Sequence, residues 1–186
     1  RGDGSLVIRR LDLLAPPGCV LSVDRMRLLD LWQELTASGI RPGGAEAVHA
    51  CRIESGFPLY GLDLTDDNLA QEAARTQLAI SYNKGCYLGQ EPIARIDALG
   101  HVNRELRILC LNSTPAPDAG TVIRAENGRE IGVITSSAMV PGEDRSVALG
   151  YVRSSHAKSE TAVIVCADDR EISATVLWHE ESTPNR

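Results

Sequence analysis

Aromatic residues are scarce: Phe, Trp and Tyr make up 4% of the 186 residues, so a core must be built from the aliphatic part of the 43% that is hydrophobic. A basic excess is missing too. The formal net charge is −6, which argues against nucleic-acid binding driven by bulk charge but does not exclude a local basic pocket for an anionic cofactor. No C-x-x-C pair occurs. The five cysteines, Cys19, Cys51, Cys86, Cys110 and Cys166, are odd in number and widely spaced. A disulfide framework is therefore not expected, and a reducing compartment fits better: the cytoplasm, or the mitochondrion of a eukaryote. The four histidines are scattered without zinc-ligand spacing, so no metal site is expected. No signal peptide and no bilayer-length apolar run is present, and no membrane role is expected. P-loop, dinucleotide and Ser-His-Asp patterns are also absent, which removes glycine-rich phosphate binding as a candidate. There is no Met start: Arg1-Gly2-Asp3 leads almost at once into the apolar Leu6-Val7-Ile8, and the chain reads as a piece of something longer.

What is present divides into two textures, predicting an α+β chain. Residues 1–100 mix helix and strand signals. Leu28, Leu31, Trp32 and Leu35 recur at helical spacing within Asp24 to Ser38, with Ser22 or Asp24 to cap the start and Gly39 to end it. A second helix is expected over Ala45 to Glu54, before the breakers Gly56 and Pro58. Asp66 to Ala74 reads as a helical turn, and Glu91 to Ile96 as a short helix with Pro92 at its first position. Residues 101–180 show short β-type runs instead: Leu106–Leu111, Thr121–Ala125, Ile131–Ser136, Val147–Val152, Thr161–Cys166 and Ile172–Trp178. Asn127-Gly128 between two of them is a hairpin signal in which both turn positions favour positive φ. Six such runs predict a small antiparallel barrel or sandwich. Residues 181–186 read as a tail.

Three groups of residues could carry chemistry. Cys86 sits between Gly85 and the turn-forming Gly89, beside Lys84 and just before an expected helix start. Positive charge and helix N-termini favour the reactive thiolate, although Glu91 opposes both. The plainer reading is a small packed cysteine, which is also the expectation for the other four. Glu54 falls at a helix C-terminus, the wrong end of the macrodipole for a carboxylate. A surface ion pair with Arg52 would compensate; so would a ligand rich in N–H donors, such as a pterin. Arg95, Arg104 and Arg107 near the junction of the two regions are either solvated or a clamp for carboxylates, of which polyglutamyl folates carry several. His101 reads as an ordinary loop histidine.

Lys84-Gly85-Cys86-Tyr87-Leu88-Gly89-Gln90-Glu91, continuing Pro92-Ile93-Ala94-Arg95, resembles the K-G-C-Y-x-G-Q-E-x-x-A-R signature of YgfZ-type folate-binding proteins, relatives of the glycine-cleavage T protein (aminomethyltransferase). Gly100 to Arg104 resembles the G-x-x-N-R segment that follows it. Arg52-Ile53-Glu54-Ser55-Gly56 is similar to the R-L-E-A-G helix end shared with the T protein, and Tyr60-Gly61-Leu62-Asp63 to the stretch just beyond. Gly132–Ser136 and Ala148–Val152 resemble the C-terminal barrel. The resemblance implies the C-terminal part of the folate-binding fold (1–100), then a T-protein-like barrel (101–180). It implies tetrahydrofolate or a derivative as cofactor, with Glu54, Lys84, Arg95 and Tyr60 as binding residues and Glu54 on the pterin. It implies a role for Cys86 in maintaining iron–sulfur enzymes, with iron–sulfur proteins as candidate partners. The family's N-terminal half, including the catalytic aspartate of the T protein, has no counterpart here, so a missing half or a partner chain would complete the site. The main expectation is folate-dependent support of iron–sulfur cluster assembly or repair. The alternatives are a folate-dependent aminomethyltransferase and a non-catalytic structural fragment.

Overall fold

A computed structural model describes residues 5–11, 14, 18–168 and 170–177. Arg1-Gly2-Asp3, Trp178 and the tail expected at 181–186 lie outside the described residues.

The first region is α+β. Strands β1 (Val7–Leu11) and β2 (Gly18–Ser22) pair antiparallel, Ile8 opposite Leu21. Asp24 accepts a hydrogen bond from Met26 N at 2.9 Å, capping a 3₁₀ turn (Arg25–Arg27) that runs into helix α1 (Leu28–Ala37). The chain leaves α1 through Gly39 at φ +88, the left-handed stop that the sequence predicts. No residue of α1 is buried, although its apolar spacing is helical. Helix α2 (Ala45–Glu54) has the bounds expected of it. A 3₁₀ turn (Ala70–Ala73), the short α3 (Thr76–Ala79) and α4 (Gln90–Leu99) follow. Helix α4 starts at Gln90, two residues before the expected first position, so Pro92 is its third residue, not its first. The position is still harmless, because the first N–H groups of a helix have no intrahelical acceptor.

The second region is a closed six-stranded antiparallel barrel. Its strands are β3 (Arg104–Leu111), β4 (Val122–Arg124), β5 (Glu130–Met139), β6 (Ser146–Arg153), β7 (Ala162–Ala167) and β8 (Arg170–Leu177). They run in the order β3-β6-β5-β4-β7-β8, and β8 returns to β3. Closure removes free sheet edges. The Asn127-Gly128 hairpin is there, with a difference: of its two residues only Gly128 takes positive φ, at +81. Ala125 N donates to Arg129 O at 2.9 Å and Gly128 N to Ala125 O at 2.8 Å, so Glu126, Asn127 and Gly128 form a three-residue loop.

Side-chain alternation along the strands divides the core in two. Leu109 and Leu111 of β3 point into the barrel with Ile123, Ile134, Val152, Val165 and Val176. Leu106 and Ile108 point outward, joining Val147, Leu149 and Tyr151 of β6 and Ile53 of α2. Strand β6 is thus buried on both faces, and α2 is seated on the outside of the barrel. Gly150 is required where β6 crosses the interior: a Cβ there would stand 2.7 Å from Val133 O and 3.1 Å from Ile123 Cδ1.

Candidate functional site

The contact between α2 and the barrel is built on Asp63, whose side chain is fully buried. Its Oδ2 accepts from Arg52 Nη1 at 2.7 Å and from Leu59 N at 3.0 Å. Its Oδ1 accepts from Thr135 Oγ1 at 2.5 Å and Ser136 Oγ at 2.6 Å. Consecutive strand residues normally point to opposite faces. Thr135 and Ser136 meet the same oxygen because β5 carries an extra residue there: Ile134 pairs with Gly150 but Ser136 with Leu149. Tyr151 donates its hydroxyl to Asp63 O at 3.0 Å, and burial, foremost, pushes its phenol up to about 12.

Glu54 lies beside this network at the last position of α2, half-buried. Its partner is not Arg52. Residues two apart on a helix do not face each other, and Arg52 turns inward to Asp63, with Nε donating to His49 Nδ1 at 3.2 Å. Glu54 Oε1 instead accepts from Arg145 Nη2 at 3.3 Å, across from the β5–β6 hairpin. Arg145 is itself fixed: Nε and Nη2 bind the Glu143 carboxylate, and Nη1 points to Cys110 Sγ at 3.8 Å. These contacts raise the Arg145 guanidinium above its ordinary value, with the Glu143 hydrogen bond foremost, and hold the Glu143 carboxyl below its own. Among the described residues no hydrogen bond reaches Glu54 Oε2, which stays open to an N–H donor.

The other expected residues are dispersed. Cys86 is exposed. Lys84 Nζ stands 4.6 Å over the Tyr87 ring, a cation–π contact. Arg95 is exposed on α4. The Tyr60 hydroxyl donates to Asp66 Oδ1 at 2.7 Å, and its own ionisation is pushed up mainly by that bond. No hydrogen bond or ion pair among the described residues joins these groups to Glu54. Two of the three clamp arginines have internal partners. Arg104 bonds Glu72 at 3.0 Å and lies over the Tyr151 ring. Arg107 is buried, donates to Ala157 O at 2.7 Å and pairs with Glu105; burial lowers it from its ordinary value. His101 is an exposed loop residue with Nδ1 3.0 Å from Leu99 O. Cys19 departs from the packing expectation, being exposed on β2. A cleft of about 1100 Å³ between Gly44–His49 and the 137–144 hairpin contains none of the expected site residues. Among the described residues no His, Cys, Asp and Glu cluster suits a metal, and no helix is long and apolar enough to cross a membrane.

Residues 104–179 match the glycine cleavage T-protein C-terminal barrel domain. The chain is 27% identical over 176 residues to an aminomethyltransferase of Halothermothrix orenii, covering 92% of this chain and 48% of that one. The barrel match and these likenesses support a place for the chain in the glycine-cleavage T-protein superfamily. A putative chloroplastic transferase of Arabidopsis thaliana is 31% identical over 184 residues, 98% of this chain and 40% of its own. Among solved structures, the glycine cleavage system aminomethyltransferase T from Bartonella henselae superposes with a TM-score of 0.79 at 26% identity, over 92% of this chain and 48% of that one. The chain therefore spans about half the length of these superfamily relatives.

Proposed function

We propose that these residues form the C-terminal half of a tetrahydrofolate-dependent aminomethyltransferase of the glycine-cleavage T-protein kind. One observation carries this: the likeness to the Bartonella aminomethyltransferase T runs through 92% of the chain, not through the barrel alone. The residues fit a pterin at Glu54. A pterin presents an amino group and a ring N–H side by side, and an ionised carboxylate is an acceptor only, with room for several donors. Glu54 is 34% exposed, with one oxygen carrying a single bond and the other open. Tetrahydrofolate, when bound, supplies the amine nitrogens that take up the one-carbon unit. This chain's part is to orient the pterin through Glu54. Exposed Arg95 is available to the carboxylate tail. Lys84 and Tyr60 lie on Tyr87 and Asp66, so a role for either means exchanging that partner for ligand.

Iron–sulfur maintenance has weaker backing than transfer, because the relatives named here are aminomethyltransferases or a putative transferase. One feature favours it, the exposure of Cys86 within its motif. The test uses the full-length gene product, wild type and Cys86→Ser, in aminomethyl transfer to tetrahydrofolate and in rescue of iron–sulfur enzymes. Transfer that survives the substitution is the expected result. Absence of transfer, together with rescue that depends on Cys86, overturns the proposal in favour of the iron–sulfur role. Glu54→Ala should weaken tetrahydrofolate binding about tenfold, the loss expected when a ligand's N–H groups go unpaired at roughly 1–3 kcal/mol.

A further inference from the structure

The geometry points to Arg145, a residue of the barrel, as the positioning residue for the Glu54 carboxylate that receives the pterin. The inference rests on the proposed role of Glu54 and adds to it a contribution from the other part of the chain. Glu54 has a flexible stem and ends its helix, so nothing within α2 fixes where its oxygens point. The only hydrogen bond to its carboxylate among the described residues comes from Arg145 Nη2, at 3.3 Å.

Arg145 can aim Glu54 because it does not depend on Glu54 for its own place. Two of its nitrogens are bound by Glu143, two residues earlier in the same hairpin, and the third points to Cys110 Sγ on the neighbouring strand β3. The backbone beneath is tied as well, with Val140 N donating to Arg145 O at 3.1 Å. The guanidinium is a planar fork whose donors share one orientation. Once Glu143 sets the plane, the edge that meets Glu54 is set with it. The contact occupies one lone pair of Oε1. Both oxygens keep capacity for the two parallel N–H donors of a pterin. The cation also offsets the repulsion between the Glu54 carboxylate and the negative end of α2. It therefore keeps a charged acceptor turned to the ligand at a helix end that would otherwise repel it.

The experiment is a double-mutant cycle on the full-length gene product, with tetrahydrofolate binding followed by calorimetry. The variants are Arg145→Gln, Arg145→Lys, Glu54→Gln and the double Arg145→Gln/Glu54→Gln. Thermal unfolding on each sample shows that the fold is retained. Arg145→Gln is expected to weaken binding about three- to tenfold, and Arg145→Lys to recover part of that loss. In the Glu54→Gln background, Arg145→Gln is expected to change affinity less than twofold, because the carboxylate it aims is gone. A purely structural role would not disappear in that background. Equal losses in both backgrounds overturn the inference. So does full affinity in Arg145→Gln while Glu54→Gln weakens binding, a result that leaves the pterin role of Glu54 standing. Unchanged affinity in Glu54→Gln overturns that role and this inference with it.

Discussion

Asp63→Asn should be among the most destabilising single-atom changes available in this protein. The substitution keeps the shape of the side chain and removes its charge. Four donors converge on the carboxylate: Arg52 Nη1, Leu59 N, Thr135 Oγ1 and Ser136 Oγ. The two hydroxyls can rotate and accept from the new NH₂ group, so they need not be lost. Arg52 has no such freedom. Its side chain is 4% exposed, it cannot give up its proton, and its Nη2 already lacks a partner. Removing the counter-charge from a buried pair leaves an uncompensated ion, at a cost of about 3–5 kcal/mol. At roughly 2–4 °C per kcal/mol for a chain of this size, the melting temperature should fall by about 10 °C. Urea unfolding followed by circular dichroism measures the loss. Adding Arg52→Met to Asp63→Asn should recover part of it, since the stranded cation is then gone. A stability loss below about 1 kcal/mol for Asp63→Asn, well under the range for a broken buried pair, would refute the reasoning.

Gly150→Ala should cost about 1–3 kcal/mol, the usual penalty of overpacking, because its Cβ would meet the Val133 carbonyl at 2.7 Å; a melting temperature equal to wild type would contradict the described interior. Glu143 gives a pH signature. Its carboxyl is held below the ordinary 4.5 by Arg145, so its stabilisation is complete above that value and is lost as pH falls through the lowered one. The stability gap between wild type and Glu143→Gln should be flat at neutral pH and close in acid; a gap unchanged at about pH 2 would sink the assignment. Iodoacetamide on the native protein should modify exposed Cys19 and Cys86 before half-buried Cys51, Cys110 and Cys166; mass spectrometry showing Cys110 labelled first would contradict that burial.

The barrel was legible because its signals are local. Turn residues separate its successive strands, and each expected run coincides with an observed strand to within a few residues. Helix α2 was equally readable, framed by Gly44 and Gly56. What the residues hid are pairs made across the sequence. Asp63 meets Ser136, 73 residues away, and Glu54 meets Arg145, 91 residues away. No local period reports such a meeting. Arg52 was closest in sequence to Glu54 and was the wrong partner, since helical geometry sends it to another face. Strand β2 is not legible in the sequence because the signals around it favour breaks, with Pro16, Pro17 and Gly18 at its start. One clue to the network was available: Tyr60-Gly61-Leu62-Asp63 belongs to the resemblance, and a lone acid after such a turn invites the question of what it bonds.

The extra residue at Thr135 has a consequence beyond its two hydrogen bonds. It brings two adjacent hydroxyls to one carboxylate, so the seam between α2 and the barrel depends on a count of residues as much as on their identity. A scan of substitutions would register Thr135 and Ser136 as two modest polar contacts. A scan of deletions would see something else. Removing Thr135 lets β5 run in phase with β6, which the barrel ladder tolerates, but then only one hydroxyl can face Asp63. Insertions and deletions between Ile134 and Ser137 should therefore leave a folded barrel with a loosened helix, whereas the same changes in the 126–128 loop should leave the seam untouched.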